Sequence, residues 1–308
     1  ICLITPSTRH QRNEAGAFHT KRHRAMSGPY AVMAACNALM STLSQLPGKA
    51  FLAHLPQRRL ASGQLAVTVT PHSIWDRLLL SGVSAEVWMQ PEVSESNLAA
   101  HCATAYDIPP GQRKGRLALV LGAGNIAAIS PLDAFQKLFI ENQVVLLKMN
   151  PVNEYLTDYL KAALKPLIEI DALRIVKGGG AMGAALTQHP LVEEIHITGA
   201  GATHDAIVWG VGEEGRTNRL AKTPKNPRKI TSELGAVCPT IVVPGPWSRS
   251  DIKFQAENIA THKLHNSGFN CIACQTLILP KGWAKTTELL SKIEQVMSRA
   301  GQRQAYYP

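Results

Sequence analysis

Leu117-Ala118-Leu119-Val120-Leu121-Gly122-Ala123-Gly124-Asn125 is the stretch that decides the fold. Five apolar residues followed by small ones and an amide read as a buried strand running into a tight turn. The pattern predicts a helix over 131–142, and then the rhythm repeats. Val144 to Lys148 is a second apolar strand, with a helix over 154–168. A third strand over 173–177 leads through Gly178-Gly179-Gly180 into a helix over 182–188, and a fourth strand covers 194–198. Strands near five residues alternating with longer helical segments are the mark of βαβ units and a parallel sheet. A further αβ region starts at 241–244, after Glu233. The fold class expected is α/β.

Toward the N-terminus the pattern is less regular. Residues 1–27 are polar and basic and read as a poorly ordered arm or the remnant of a truncated start. A helix is expected over 29–46, a strand over 66–70, mixed structure over 73–88 and a helix over 94–106. Pro109-Pro110-Gly111 breaks the chain before the regular alternation begins. At 308 residues, 45% hydrophobic and 18% charged, the chain has the length for about two domains and a substantial core. The longest near-apolar run, 117–129, is too short to span a membrane and is interrupted by Gly and Asn. Six scattered cysteines argue against a disulfide scaffold and for a reducing, cytoplasmic compartment. Part of the net charge of +10 lies in 216–229, a run without an acid. It reads as a solvated loop, or as an attraction for phosphate-bearing cofactors, since nucleic-acid binding would want interleaved aromatic residues and none occur there.

Three segments carry the chemistry. Asn266-Ser267-Gly268-Phe269-Asn270-Cys271-Ile272-Ala273-Cys274 follows an amphipathic segment and precedes a strand-like run, so Cys271 sits on an irregular, Gly-containing loop. Ile230-Thr231-Ser232-Glu233-Leu234-Gly235 offers a carboxylate base, and Asn125 offers an amide at a strand end. Thiol, carboxylate and amide are the parts of thiol-based acyl chemistry. Gly122-Ala123-Gly124-Asn125-Ile126-Ala127 fits a loose dinucleotide fingerprint, but the next strand ends in Lys148, not in the acid that would hold a ribose. A tight turn explains those glycines equally well. Lys148 is either a lysine snorkelling from a strand end or a cofactor ligand. Cys271 and Cys274 with His262 and His265 also make a set of zinc-type ligands, although the five-residue spacer would cramp the site. No metal is expected, and Cys274 is read as a buried small residue.

In this order the segments resemble the aldehyde dehydrogenase superfamily. Residues 232–239 are similar to that family's E-L-G-G-x-x-P signature, with Ala236 at the second Gly. Asn266 to Cys271 resembles its N-x-G-Q-x-C loop, with Phe269 at the Gln, and Ile197-Thr198-Gly199-Ala200 resembles its F-T-G-S turn. The spacing from Asn125 to Lys148 matches the family's asparagine and K-P-x-E lysine. The resemblance spans roughly 117–279. It implies that Cys271 attacks an aldehyde, and that Asn125 and the Cys271 backbone N–H stabilise the oxyanion. Each such donor is worth about 3 kcal/mol. It further implies that Glu233 activates water against the thioester, and that Lys148, Gly183, Thr198, Gly199 and Leu234 line an NAD or NADP site.

The expected architecture is an arm and Rossmann-like cofactor domain over 1–232, followed by a partial α/β catalytic domain over 233–308. The implied function is NAD(P)-dependent oxidation of a small-molecule aldehyde to an acid, without a nucleic-acid or membrane partner, by a homo-oligomer when full length. Coenzyme A as acyl acceptor, or a non-catalytic nucleotide-binding relative, are the rival readings; Glu233 favours water. The family's acid shortly after the lysine has no counterpart in Lys148-Met149-Asn150-Pro151, and E-x-x-F-G-P occurs nowhere. The chain is therefore expected to be cut short at its C-terminus, leaving a piece that binds dinucleotide weakly and turns over no aldehyde.

Overall fold

A computed structural model describes residues 28–71, 73–79 and 82–301 of the chain. The arm expected over 1–27 lies outside the described residues. Among those described, the chain divides into two compact units, one of residues 33–114 and one of residues 28–32 and 115–301.

The first unit holds most of α1 (Pro29–Ser44), then β1 (Gln57–Arg59), β2 (Leu65–Thr70), α2 (Ile74–Leu79) and β3 (Ala85–Trp88). The strands form an antiparallel sheet in the order β1-β2-β3. Leu65, Val67, Val93 and Leu98 are its buried centre. The helix expected over 94–106 is replaced by two short 3-10 turns, Leu98–His101 and Thr104–Tyr106. The Asn97 side chain accepts from the Ser94 N–H at 2.7 Å and Ala103 takes a left-handed φ of 50°, so neither end propagates a helix.

The second unit is built on five parallel strands: β4 (Leu117–Leu121), β5 (Val144–Lys148), β6 (Leu173–Val176), β7 (Glu194–Gly199) and β8 (Lys229–Leu234). Their order is β6-β5-β4-β7-β8, with every neighbouring pair parallel. The connecting helices are α3 (Ile129–Phe135), α4 (Thr157–Ala163), α5 (Lys165–Glu169), α6 (Gly180–Gln188), α7 (Gly201–Trp209) and α8 (Gly212–Ala221). This doubly wound α/β arrangement is what the strand–helix rhythm implied, and residue 232 lies inside its fifth strand.

The details depart from the pattern in three places. The helix expected over 131–142 is α3, ending at Phe135, continued by a π turn over Gln136–Ile140. The helix expected over 154–168 is a 3-10 turn (Pro151–Leu156) followed by α4 and α5, separated at Leu164. Pro166 has no N–H to return to the preceding turn, so a continuous helix cannot pass through it. The basic run 216–229, expected as a loop, instead enters α8 and the start of β8. Arg216 pairs with Glu213, Arg219 with Asp205 at 2.6 Å and Lys225 with Glu214 at 2.8 Å. Arg228 donates to the carbonyls of Val192, Thr187 and His189. The acids that settle this run lie outside it, where local charge counting does not look.

Strand alternation sorts the sheet into two faces. Leu119, Leu121, Ile195 and Ile197 pack on one face with Leu186 of α6 and Ile207 of α7. The opposite face of β7 and β8 is polar and meets α3, as described below. Beyond the sheet, β9 (Pro239–Ile241) and β10 (Thr276–Ile278) pair in parallel, with α9 (Arg249–Leu264) and α10 (Thr286–Ser298) beside them. A reciprocal Ser248–Asp251 cap starts α9, and Val242, Ile252, Ala256, Ile259, Cys274 and Leu289 are buried together. No helix among the described residues is long and apolar enough to cross a membrane.

Candidate functional site

The turn that leaves β4 is fixed before Asn125 is reached. A Cβ at Gly122 would stand 2.4 Å from Ser130 Oγ and 3.3 Å from the Lys148 carbonyl, so packing alone requires glycine here. The buried Asn153 amide then donates to the carbonyls of Ala123 (3.0 Å) and Gly124 (3.2 Å). These contacts account for the loose glycine fingerprint as a tight turn. They also aim Asn125 at the segment after α9.

That segment is a left-handed hairpin in the backbone. Asn266, Ser267 and Gly268 have φ of 53°, 56° and 83°, a run that only short polar residues and glycine tolerate at modest cost. The Asn125 amide donates to the Phe269 carbonyl at 3.1 Å. In return the Asn266 amide donates to the Asn125 carbonyl at 2.8 Å and to the Phe269 carbonyl at 3.1 Å. Asn270 bonds His265 Nδ1 (2.8 Å) and accepts from the Ile272 N–H (2.9 Å). Cys271, between them, is exposed, with its sulfur 3.8 Å from Asn270 Oδ1. Cys274 is buried in the α9–α10 core, as the sequence suggested. Among the described residues no group of three or more His, Cys, Asp or Glu side chains stands together as a metal site would need.

Glu233 is exposed near the C-terminal end of β8, in register with Thr198 of β7. Only five residues later the chain reaches Cys238, whose thiol donates to the Cys271 carbonyl at 3.1 Å. The loop after Glu233 is thereby laid against the Cys271 loop. Lys148 ends β5, opposite Leu121. By alternation it shares the face of Leu119 and Leu146, whereas Glu233 shares the opposite face with Thr231. Lys148 is buried, and burial pushes its ammonium pKa down; the Glu154 carboxylate opposes the shift. Glu154 Oε1 in turn accepts from the Gly178 N–H at 2.7 Å.

The remaining predicted cofactor residues are distributed along the same edge. Gly183 lies within α6, where an added Cβ would meet nothing, and Gly199 closes β7 with only Ile197 nearby. Leu234 is the last residue of β8 and is half-buried. The Thr198 hydroxyl is turned away from that edge and donates to Asp133 Oδ2 of α3 at 2.8 Å. Neither α6 nor α7 carries a capping side chain at its N-terminus. Orphan amides at two helix starts, directly after β6 and β7, are suited to phosphate oxygens.

Sequence reasoning missed the polar face behind this edge. His196 Nδ1 lies 2.8 Å from Thr231 Oγ1, and its Nε2 is 3.5 Å from Asp133 Oδ2. Deeper along the same face, Lys137 and Glu194 are both buried and paired at 2.5 Å, with Gln143 bonded to Glu194 at 2.8 Å. The alternation Glu194-Ile195-His196-Ile197-Thr198 carried the signal, since every second residue of a supposedly buried strand is polar.

Comparisons with known proteins agree with the motifs. Residues 132–304, more than half of the chain, match the model of the Aldehyde dehydrogenase family. Of the eight catalytic and cofactor residues expected from the sequence, all but Asn125 fall inside that span. The chain is 27% identical over 159 residues to an aldehyde dehydrogenase (LUC3) of Fusarium sp, covering 51% of this chain and 31% of the relative. It is 31% identical over 127 residues to N-succinylglutamate 5-semialdehyde dehydrogenase 1 of Caulobacter vibrioides, covering 41% of this chain and 24% of that protein. The solved aldehyde dehydrogenase KauB of Pseudomonas aeruginosa superposes with a TM-score of 0.46 at 21% identity, over 60% of this chain and 34% of that one. The matched segments thus cover less than a third of the curated relatives' lengths. The chain belongs to the aldehyde dehydrogenase family.

Proposed function

We propose that this chain carries the thiol and dinucleotide halves of an NAD(P)-dependent aldehyde oxidation. The observation that supports it best is the pair of hydrogen bonds tying Asn125, at the end of the central strand, to the loop that presents Cys271. An exposed thiol on a loop bonded to a strand-end amide offers the groups that nucleophilic addition to a carbonyl needs. Cys271 adds to the aldehyde carbon, and the developing oxyanion is met by the Asn125 amide and the Cys271 N–H. NAD or NADP, when bound, accepts the hydride. The acyl group is then held on Cys271 as a thioester. Glu233 removes a proton from water so that it attacks that thioester and frees the acid.

The dinucleotide fits what the sheet edge offers. The uncapped starts of α6 and α7 offer N–H donors to phosphate oxygens, Lys148 flanks the adenosine side, Leu234 lies next to Glu233 at the far end of the strand order, and Gly183 and Gly199 leave room for close approach. On this reading the cofactor-binding and catalytic parts meet near residue 232, the substrate is a small aldehyde, and the working enzyme is a cytoplasmic homo-oligomer. Quenching of tryptophan fluorescence by NAD+ and by NADP+ tests the cofactor half directly. Saturable quenching that weakens in Lys148→Ala supports it, and quenching by neither nucleotide contradicts it.

A further inference from the structure

Two cysteines meet at the site through the Cys238 thiol and the Cys271 main chain, and the proposed oxidation of an aldehyde uses only Cys271. Cys238 lies in the loop between β8 and β9, three residues beyond Gly235, and holds a left-handed φ of 42° that ordinary side chains seldom adopt. Its half-buried sulfur points at the main chain of Cys271, donating to that residue's carbonyl at 3.1 Å. The two loops are held side by side by more than this contact. Gln275 N–H donates to the Val237 carbonyl at 3.2 Å, and one step on Pro239 pairs with Thr276 in the parallel β9–β10 ladder. Both cysteines are free, Cys271 is exposed, and Cys274 is withdrawn into the core.

We infer that Cys238 and Cys271 form an oxidation site, in which Cys238 is the resolving thiol that captures an oxidised Cys271 as a reversible disulfide. The oxidant is a hydroperoxide. The Cys271 thiolate attacks one peroxide oxygen, forming an S–O bond as the O–O bond breaks and hydroxide leaves, which gives a sulfenic acid. The Cys238 thiolate then attacks the Cys271 sulfur, forming the S–S bond while the S–O bond breaks and a second hydroxide leaves. Two thiols lose two electrons and hydrogen peroxide becomes two waters. Bridging requires the Cys271 side chain to leave Asn270, 3.8 Å away, and turn toward the sulfur that lies 3.1 Å from its own carbonyl oxygen. An exposed thiol without a resolving partner climbs instead to the sulfinic and sulfonic acids, which are not reversed by simple thiols. Cys238 protects the nucleophile at the cost of a temporary block.

The inference rests on the proposed function only for the meaning of the block, because the bridge itself needs no aldehyde or dinucleotide. The test is peptide mapping of the full chain after brief hydrogen peroxide, alkylation and tryptic digestion without reduction. The expected product joins the peptides 230–249 and 264–281, with fragmentation placing the bond on Cys271, and dithiothreitol restores both thiols. In Cys238→Ala the cross-linked peptide is lost and Cys271 carries two or three oxygens that dithiothreitol does not remove. Cys238→Ser, which keeps the size of the side chain, gives the same result if folding is the concern. A bridge from Cys274, alkylatable Cys238 and Cys271 after peroxide, or equal over-oxidation of Cys271 in wild type and variants would overturn the inference. A bridge that forms in a protein whose Cys271 never takes up an acyl group would sink the proposed function and leave this inference standing.

Discussion

Asn125 and Phe269, 144 residues apart, are joined by a hydrogen bond from the side-chain amide of one to the main-chain carbonyl of the other, at 3.1 Å. The central strand of the sheet is thereby wired to the loop that displays Cys271. The bond is to the main chain of the loop, two residues before the thiol. The residue has a structural task and a proposed catalytic one.

Asn125→Ala therefore has two expected effects. Loss of an oxyanion donor slows acylation of Cys271 by about 10²–10³-fold. Loss of the bond to Phe269 lowers stability by about 1 kcal/mol. Single-turnover acylation and urea denaturation measure the two separately. An unchanged acylation rate with lowered stability would leave Asn125 as a brace only.

Lys137 and Glu194 make a pH prediction. Burial works against the Glu194 carboxylate, but hydrogen bonds from Lys137, Lys229 and Gln143 and the charge on Lys137 outweigh it, holding its pKa at about 2 against an ordinary 4.5. A carboxyl lowered on folding stabilises fully above its unfolded pKa, and that contribution is lost as pH falls through the folded value. Stability should drop between about pH 4.5 and pH 2. Glu194→Gln removes the buried carboxylate and leaves Lys137 with Glu141, at 2.9 Å, as its remaining acidic partner, a change that costs about 1–3 kcal/mol. Urea midpoints of both proteins across this range should converge toward pH 2; parallel curves would place the acid transition elsewhere.

What the sequence disclosed and what it withheld have physical causes. The strands Leu117–Leu121 and Val144–Lys148 were legible because fully buried parallel strands are short, apolar and bounded by turns. Cys271 and Glu233 could be proposed from the sequence because the motifs around them are short-range. Asn266 stood in the motif, but its task was hidden, since the bond to the Asn125 carbonyl is made only when distant segments meet. The pairing of His196 with Asp133 was hidden for the same reason. Broken helices at Leu164 and Ala103 depended on one proline and one left-handed residue, which a periodic pattern averages over.

Glu233→Gln should separate the two halves of the reaction. A base acting on water is needed only after acylation, so one equivalent of reduced dinucleotide should still form while steady turnover falls. Stopped-flow measurement of the reduced nicotinamide checks it. Disappearance of that first equivalent would move Glu233 to an earlier step.

Alkylation should follow exposure. Cys271 is exposed and Cys274 is buried in the α9–α10 core, so limiting iodoacetamide should label Cys271 first. Quantitative peptide mapping over time gives the order, and faster labelling of Cys274 would mean that the loop opens more readily than its Asn266 and Asn270 bonds imply.

The central claim is that Cys271 carries the acyl group, and the most direct measurement is acid-quench mass mapping of the Glu233→Gln chain. The protein is mixed with a short aliphatic aldehyde and NAD+ or NADP+, quenched, digested and searched for an acylated peptide. The account predicts a hydroxylamine-labile acyl group on Cys271 that forms only when the dinucleotide is present. An acyl group on Cys238 or Cys274, one that forms without dinucleotide, or none at all would contradict it.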